Sequence, residues 1–531
     1  MQHLSKMRRK IIVATIPLLA IVWLTYRYSF GTDNTFVTNP AIANPVIVDP
    51  RICQVWLDRG GREYEQPLDE DCDNSILLPQ VGDVNVLGTP QRCVRASSRL
   101  DQYRSAVGRG WSDIRWGRLQ SECSSATYEL PPPEYEMEQI WHWPPHQGSE
   151  SQTKKSAIVL RTWDDYEYTD DKLAWLRALI VEASLERGGR YRVFFLVNVK
   201  DPEVHLDNSS SYARVMRKCV PKEFRDMAFL YNERTLKAWY PHVSEHGAQN
   251  QMYQALQIFS HKFPEYDYIW QLEMDLRLTG HIYDTLEESV AFARTQKRHN
   301  LWERNGRFYN PTLYNNSYEN FVQAVDTEIG DTGVWGPVPT LDFVPQGPQP
   351  PLRGTKDWGV GEEADLITFM PMIDPVGTEW VYEHDVHHFA DKDATPRRLA
   401  IVSITRSSRR LLHLVSEAQQ QRGQWLVSEA TLETFSLLHG LKAVTIPHPI
   451  VFTDDVTPTM EELDANIHKG PPSNKAGGER PSMLYTSKGW VDGPWWGASF
   501  WFTGNGAQTM WDAYVGGASL PPMLLHPVKD K

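Results

Sequence analysis

The chain has 531 residues, 41% of them hydrophobic and 11% aromatic, enough to bury a large core in one big domain with smaller additions. These are the values of a globular protein and exclude a disordered chain. A net charge of −13, with no basic stripe, excludes nucleic acid as a partner.

Residues 1–10 carry Lys6, Arg8, Arg9 and Lys10 and read as a cytosolic tail. Residues 11–26 form an apolar run interrupted by Thr15, Pro17 and Thr25. Helical, that run spans about 24 Å, short for a plasma membrane and closer to a thin early-secretory bilayer. Positive charge before the run predicts an uncleaved signal anchor with the rest of the chain in the lumen. The competing reading is a cleaved signal peptide, but Ala41-Ile42-Ala43 stands far beyond the apolar run for a cleavage site. No second run of spanning length follows, so the expectation is a single-pass type II protein of the Golgi or ER.

Residues 27–60 read as a stem, and residues 61–150 as an irregular lead-in rich in Cys, Trp and Pro. Cys53, Cys72, Cys93 and Cys123 cluster there without zinc-site spacing, and in an oxidising lumen they allow up to two disulfides. Residues 151–531 form the main domain. A strand at Ala157 to Leu160 is followed by a helix at Asp170 to Arg187, closed by Gly188-Gly189. Further strands are expected at Tyr191 to Val199 and Met227 to Tyr231, and a helix at Gln249 to Phe263. The run Tyr266 to Asp275 follows as a strand, then a helix at Asp284 to Lys297 and a Pro- and Gly-rich region from Asn310 to Gly354. Trp358-Gly359-Val360-Gly361 opens what reads as another helix, with Glu362, Glu363 and Asp365 in its first turn. The last α/β section has strands at Leu399 to Ile404 and Lys442 to Ile446, with helices at Arg409 to Gln421 and Val427 to Leu438 between them. Residues 454–480 read as a mobile loop. This alternation predicts an α/β fold with a mixed, mostly parallel sheet and helices on both faces.

The chemistry centres on Glu273 and Asp275, which end the Tyr266 to Asp275 run. Positions i and i+2 of an extended chain share a face, so the two carboxylates converge on one ligand. Acids at the carboxyl end of a strand lie where α/β sheets bind ligands, and two hard oxygen donors suit Mn²⁺ or Mg²⁺. Against this, the same acids serve equally as a solvated strand end. Glu362 and Glu363 are candidates for a general base, or for favourable acids at a helix start. Arg161, Asp164 and Asp165 follow the first strand, where a nucleotide base or ribose could be held. Arg406 and Arg409 flank a strand-to-helix junction and are candidate phosphate partners, or an exposed basic helix start. His439 and His448 flank the Lys442 to Ile446 strand as possible late metal ligands. The cluster His384, Asp385, His387 and His388 with Glu383 matches no standard metal spacing.

Several long stretches resemble one family: R-T-W-D-D-Y-E-Y, P-E-Y-D-Y-I-W-Q-L-E-M-D-L-R-L-T-G-H, L-W-E-R-N-G-R-F-Y, W-G-V-G-E-E-A-D-L-I-T, H-G-L-K-A-V-T-I-P-H-P and the ending P-P-M-L-L-H-P. The chain is identified by them as a member of the fungal domain-of-unknown-function 3405 family, over roughly residues 100 to 531. That family looks like a relative of glycosyltransferases of the GT-A fold, and Y-D-Y-I-W-Q-L-E is similar to a run in fungal Golgi mannosyltransferases. The resemblance implies that residues 151–531 are a glycosyltransferase-like luminal domain, with Glu273 and Asp275 at a metal that holds the nucleotide diphosphate. It also implies Glu362 or Glu363 near the acceptor, and His439 or His448 as the late metal ligand. The usual D-x-D is here E-x-D. The implied function is transfer of a sugar from a UDP- or GDP-linked donor to a glycan or glycoprotein, assisted by Mn²⁺ or Mg²⁺. The alternatives are a non-catalytic glycan-binding or scaffold module and a metal-dependent hydrolase built on the acids and the His387-His388 pair.

Overall fold

A computed structural model describes residues 80–83, 86, 93–105, 111–127, 155–334, 336–338, 340–351, 357–376, 380–401, 403–453 and 494–529. The expected tail, anchor and stem, and the expected mobile loop at 454–480, lie outside the described residues. Among the described residues no helix is long and apolar enough to cross a membrane.

The core is built on a seven-stranded sheet. Its strands, in chain order, are β1 (Ser156–Trp163), β2 (Tyr191–Asn198), β3 (Ala228–Tyr231), β4 (Tyr268–Glu273), β5 (Leu366–Thr368), β6 (Ile404–Ser408) and β7 (Ala443–Thr445). They lie side by side in the order β7-β5-β6-β4-β1-β2-β3. All run parallel except β6, which is antiparallel to both β4 and β5. The fold is therefore mixed α/β with a largely parallel central sheet, as the alternation of elements predicts.

Strands β1 and β4 are largely apolar on both faces because helices cover both. In β1 the run from Ala157 to Leu160 is buried, and in β4 so is every residue from Tyr268 to Leu272. Fully burying each large apolar side chain of this kind contributes about 1.5–3 kcal/mol. Helix α1 (Asp170–Ala183) packs with α3 (Ile282–Thr295) on one face. There the Tyr191 hydroxyl at the start of β2 donates to Glu287 of α3 at 2.6 Å. On the other face α2 (Tyr253–Lys262), α4 (Arg409–Arg422) and α5 (Ser428–His439) pack together.

Two elements differ from their expectation. Leu399 to Ile404 is not a sheet strand: Leu399 makes only an isolated bridge to Ile373, and the strand proper is Ile404–Ser408. Its Thr405, Arg406, Ser407 and Ser408 are polar and fully buried, a composition that reads as a loop until neighbouring strands satisfy its backbone on both sides. The helix expected from Trp358 is a turn. Gly359 and Gly361 sit at φ +94 and +83, outside helical space, and the chain passes straight into β5.

The described residues 93–105 and 111–127 of the lead-in pack on the domain. Helix Trp116–Thr127 lies against β2, with the Trp116 indole donating at 2.8 Å to Glu223, which also pairs with buried Arg177 at 2.7 Å. Arg99 pairs with Glu182 of α1 at 2.6 Å. Cys93 and Cys123 are both disulfide-bonded, and the free Cys219 is buried.

Candidate metal and ligand site at the sheet edge

The carboxyl ends of β1 and β4 lie level, with Arg161 opposite Glu273. Side chains alternate along a strand, so Val159 and Arg161 share a face with Gln271 and Glu273. The Arg161 guanidinium pairs with Glu273 and donates to the Ala248 carbonyl at 2.9 Å. The Glu273 amide donates to the Ser403 carbonyl at 3.0 Å, which holds the strand end against the entry to β6.

The chain's far end completes this site. After Asp275, residues Arg277–Leu278 pair antiparallel with Leu524–Leu525, a ribbon that carries the C-terminal segment back to the carboxyl edge of β4. The Val528 amide donates to the Asp275 carbonyl at 2.8 Å. His526, between ribbon and clamp, therefore points at the acidic pair: its Nε2 lies 3.0 Å from Glu273 Oε2 and 3.3 Å from Asp275 Oδ1. Its Nδ1 donates to the Trp501 carbonyl, with Ser403 Oγ at 2.9 Å, which fixes the ring and directs Nε2 to the carboxylates. Burial disfavours the imidazolium, but the hydrogen bonds and charges of Asp275 and Glu273 push His526 up to about 10. Asp275 shows the complement: burial would raise its carboxyl, while His526 holds it below the usual carboxylate range.

One ligand atom from each of Glu273, Asp275 and His526 lies within 4.8 Å of the others, and among the described residues this is the one such group. Two carboxylates and an imidazole whose other nitrogen is already engaged suit a divalent ion. The nitrogen favours Mn²⁺ over Mg²⁺, which takes oxygen almost exclusively. A metal bound there would displace any proton on Nε2.

The rest of this edge is aromatic and charged. Trp163, the last residue of β1, is 37% exposed, with the Lys200 ammonium 6.0 Å from its ring. Asp165 pairs with Lys200 at 2.6 Å, and the Asp164 amide donates to Asn198 at the end of β2. Arg161, Asp164 and Asp165 thus share the edge with Glu273 and Asp275.

The chain matches the family model described as a protein of unknown function (DUF3405) over residues 91–530. It belongs to this family. No curated protein matches the chain. The family description carries no activity, so what the residues do must come from their placement.

That placement sets six of the expected site residues apart from the acidic pair. Glu362 and Glu363 precede β5 and lie at the amino edge of the sheet, opposite the acidic pair. There Glu362 pairs with Arg298 at 2.7 Å, and Glu363 pairs with Arg294 and with Arg406 at 3.2 Å. Arg406 stacks 3.6 Å over Tyr268, at the start of β4, and the Arg409 amide donates to Asp267 beside it. Because β6 runs backwards, its end and these two arginines point away from the site. His439, at the end of α5, lies at the same far edge and stacks on Phe343 at 4.2 Å. Burial, with Arg422 and Arg410 nearby, lowers it to about 4. His448 is nearer but is packed between Phe369 and Phe500, and burial lowers it to about 3. His387 stacks on Trp425 at 3.9 Å and belongs to no metal-type group among the described residues. The residue that sequence reasoning missed is His526. Its motif P-P-M-L-L-H-P contributes to the family resemblance, but nothing local links it to acids about 250 positions earlier.

Proposed function

We propose that this chain is a single-pass type II enzyme of the Golgi or ER that transfers a sugar from a nucleotide-sugar to a glycan or protein acceptor, on a GT-A-like domain. One observation carries the proposal. The acidic pair at the end of the central strand meets a histidine from the chain's C-terminus, the ligand set that the GT-A resemblance implies. Disulfide-bonded Cys93 and Cys123 support an oxidising lumen, and the basic residues before the apolar run at 11–26 support the orientation.

Glu273, Asp275 and His526 would hold the Mn²⁺. When bound, such an ion neutralises charge on a leaving diphosphate. The chain's own residues do the rest. Arg161 holds the Glu273 carboxylate in place. The exposed face of Trp163 offers a stacking surface for a base, and Asp164 and Asp165 offer acceptors for ribose hydroxyls.

The test is thermal unfolding of the purified full chain in detergent with UDP, GDP and their hexose conjugates, with and without Mn²⁺. A ligand at about 100 times its dissociation constant adds about 2.7 kcal/mol of stability. The proposal expects a Mn²⁺-dependent shift with one nucleotide, abolished in Asp275→Asn. No shift with any nucleotide from a folded protein would refute it. Binding without turnover would instead favour the glycan-binding module.

A further inference from the structure

The transfer chemistry leaves one role empty. With Glu362 and Glu363 at the far edge, neither residue expected near the acceptor is at the site to receive its proton. Glu273 and Asp275 are engaged by His526, and Asp165 by Lys200. Glu429 differs from these: it lies at the same edge and makes no ion pair among the described residues. It occupies the first turn of α5, a helix that runs against the parallel strands and so begins at their carboxyl edge.

Two sets of hydrogen bonds tie that turn to the acidic pair. The Ser428 hydroxyl donates to the Gln249 carbonyl at 2.7 Å and accepts from the Met252 amide at 2.9 Å. Arg161, the partner of Glu273, donates to the adjacent Ala248 carbonyl. On the other side the Glu429 carbonyl accepts from Ala400 at 2.9 Å, shortly before Ser403, which binds both the Glu273 amide and His526. The Glu429 side chain is half-buried, and its Oε2 is buried without a hydrogen-bond partner among the described residues. One turn further along α5, Glu433 is fully buried with both oxygens in the same condition.

We propose that Glu429 is the catalytic base of this site, accepting the proton of the acceptor hydroxyl. The assignment rests on the transferase proposal above. In the step, the acceptor oxygen bonds to the anomeric carbon of the nucleotide-sugar and its proton passes to the Glu429 carboxylate. The bond from that carbon to the diphosphate breaks, and the nucleoside diphosphate leaves with the bonding pair. Such a displacement inverts the anomeric centre. The surroundings suit a base: burial and the negative charge of Glu273 both push the Glu429 carboxyl above its usual value, against the pull of Arg161. Glu433 does not compete, because it is fully buried, out of reach of an acceptor, and burial pushes its carboxyl well above its usual value.

The experiment uses the full chain in detergent and compares wild type with Glu429→Gln and Glu429→Ala. One arm measures the Mn²⁺-dependent thermal shift with UDP and GDP. The other measures nucleoside diphosphate release from a panel of UDP- and GDP-linked hexoses. Glu429→Gln should keep the thermal shift and lose about 10²–10⁴-fold in kcat, the usual contribution of a general base. Added azide or formate should restore part of the release in Glu429→Ala, which a structural residue would not allow. Release within threefold of wild type in Glu429→Gln, with the nucleotide shift intact, overturns the assignment and leaves the transferase reading standing. A wild type that shows neither shift nor release overturns both.

Discussion

His526→Gln in the metal-free protein tests the site without assuming any substrate. The imidazole contacts Glu273 at 3.0 Å and Asp275 at 3.3 Å, and its other nitrogen donates to the Trp501 carbonyl. The ring is 4% exposed, so water replaces little of what is lost. Glutamine leaves Asp275 without its buried cation and Glu273 with Arg161 alone, and breaking a buried charge pair from one side costs about 3–5 kcal/mol. Orphaning the Trp501 carbonyl adds a further cost of about 1–3 kcal/mol if glutamine fails to reach it. A domain of this size shifts by about 2 °C per kcal/mol, so the melting temperature should fall by roughly 6–10 °C in EDTA at neutral pH. The companion variant Asp275→Asn/His526→Gln should lose less than the sum of the two single changes, because each removes one side of the same interaction. Thermal unfolding followed by near-ultraviolet circular dichroism measures both. A fall below about 1 kcal/mol for His526→Gln, the range of a surface pair, would refute the reasoning that His526 is the internal cation of this site.

Three further outcomes separate the site from the scaffold. Glu363→Gln removes the partner of buried Arg406; it should cost about 1–3 kcal/mol in denaturant unfolding and leave any Mn²⁺-dependent nucleotide shift unchanged. His448 sits neutral between Phe369 and Phe500, lowered to about 3 by burial, so the unfolded chain binds its proton first as pH falls. Its contribution to stability is therefore constant above about pH 6.5 and is lost toward pH 3, amounting to roughly 2–3 kcal/mol by about pH 4.5. Phenylalanine at this position should flatten that part of the pH profile in urea unfolding, and an unchanged acid limb would contradict the burial argument. Glu223→Gln, which leaves Arg177 buried without its carboxylate, should cost about 3–5 kcal/mol in the same assay.

Much of the architecture was legible along the chain because it rests on local patterns. The apolar runs of β1, β2 and β4, each bounded by turn residues, and the helix closed by Gly188 announce themselves within a window of a few residues. So did the i, i+2 pair of Glu273 and Asp275, because the pleat alone puts both on one face. What lay hidden depended on strand direction and on partners distant in sequence. The polar run Thr405 to Ser408 becomes a central strand only because β4 and β5 flank it, and its reversal carries Arg406 and Arg409 to the wrong edge for a phosphate. Glu362 and Glu363 precede β5 and therefore stand at the amino edge, whatever their spacing implies. His526 reaches Glu273 and Asp275 through the ribbon that pairs Leu524–Leu525 with Arg277–Leu278, and the direction of α5 places Glu429 in a first turn at the same edge. By itself the sequence determined the apolar strands, the helices that pack on them and the acidic pair, since these follow from contacts a few residues apart. Which histidine joins that pair was decided by tertiary pairing across about 250 residues, and no local periodicity records it.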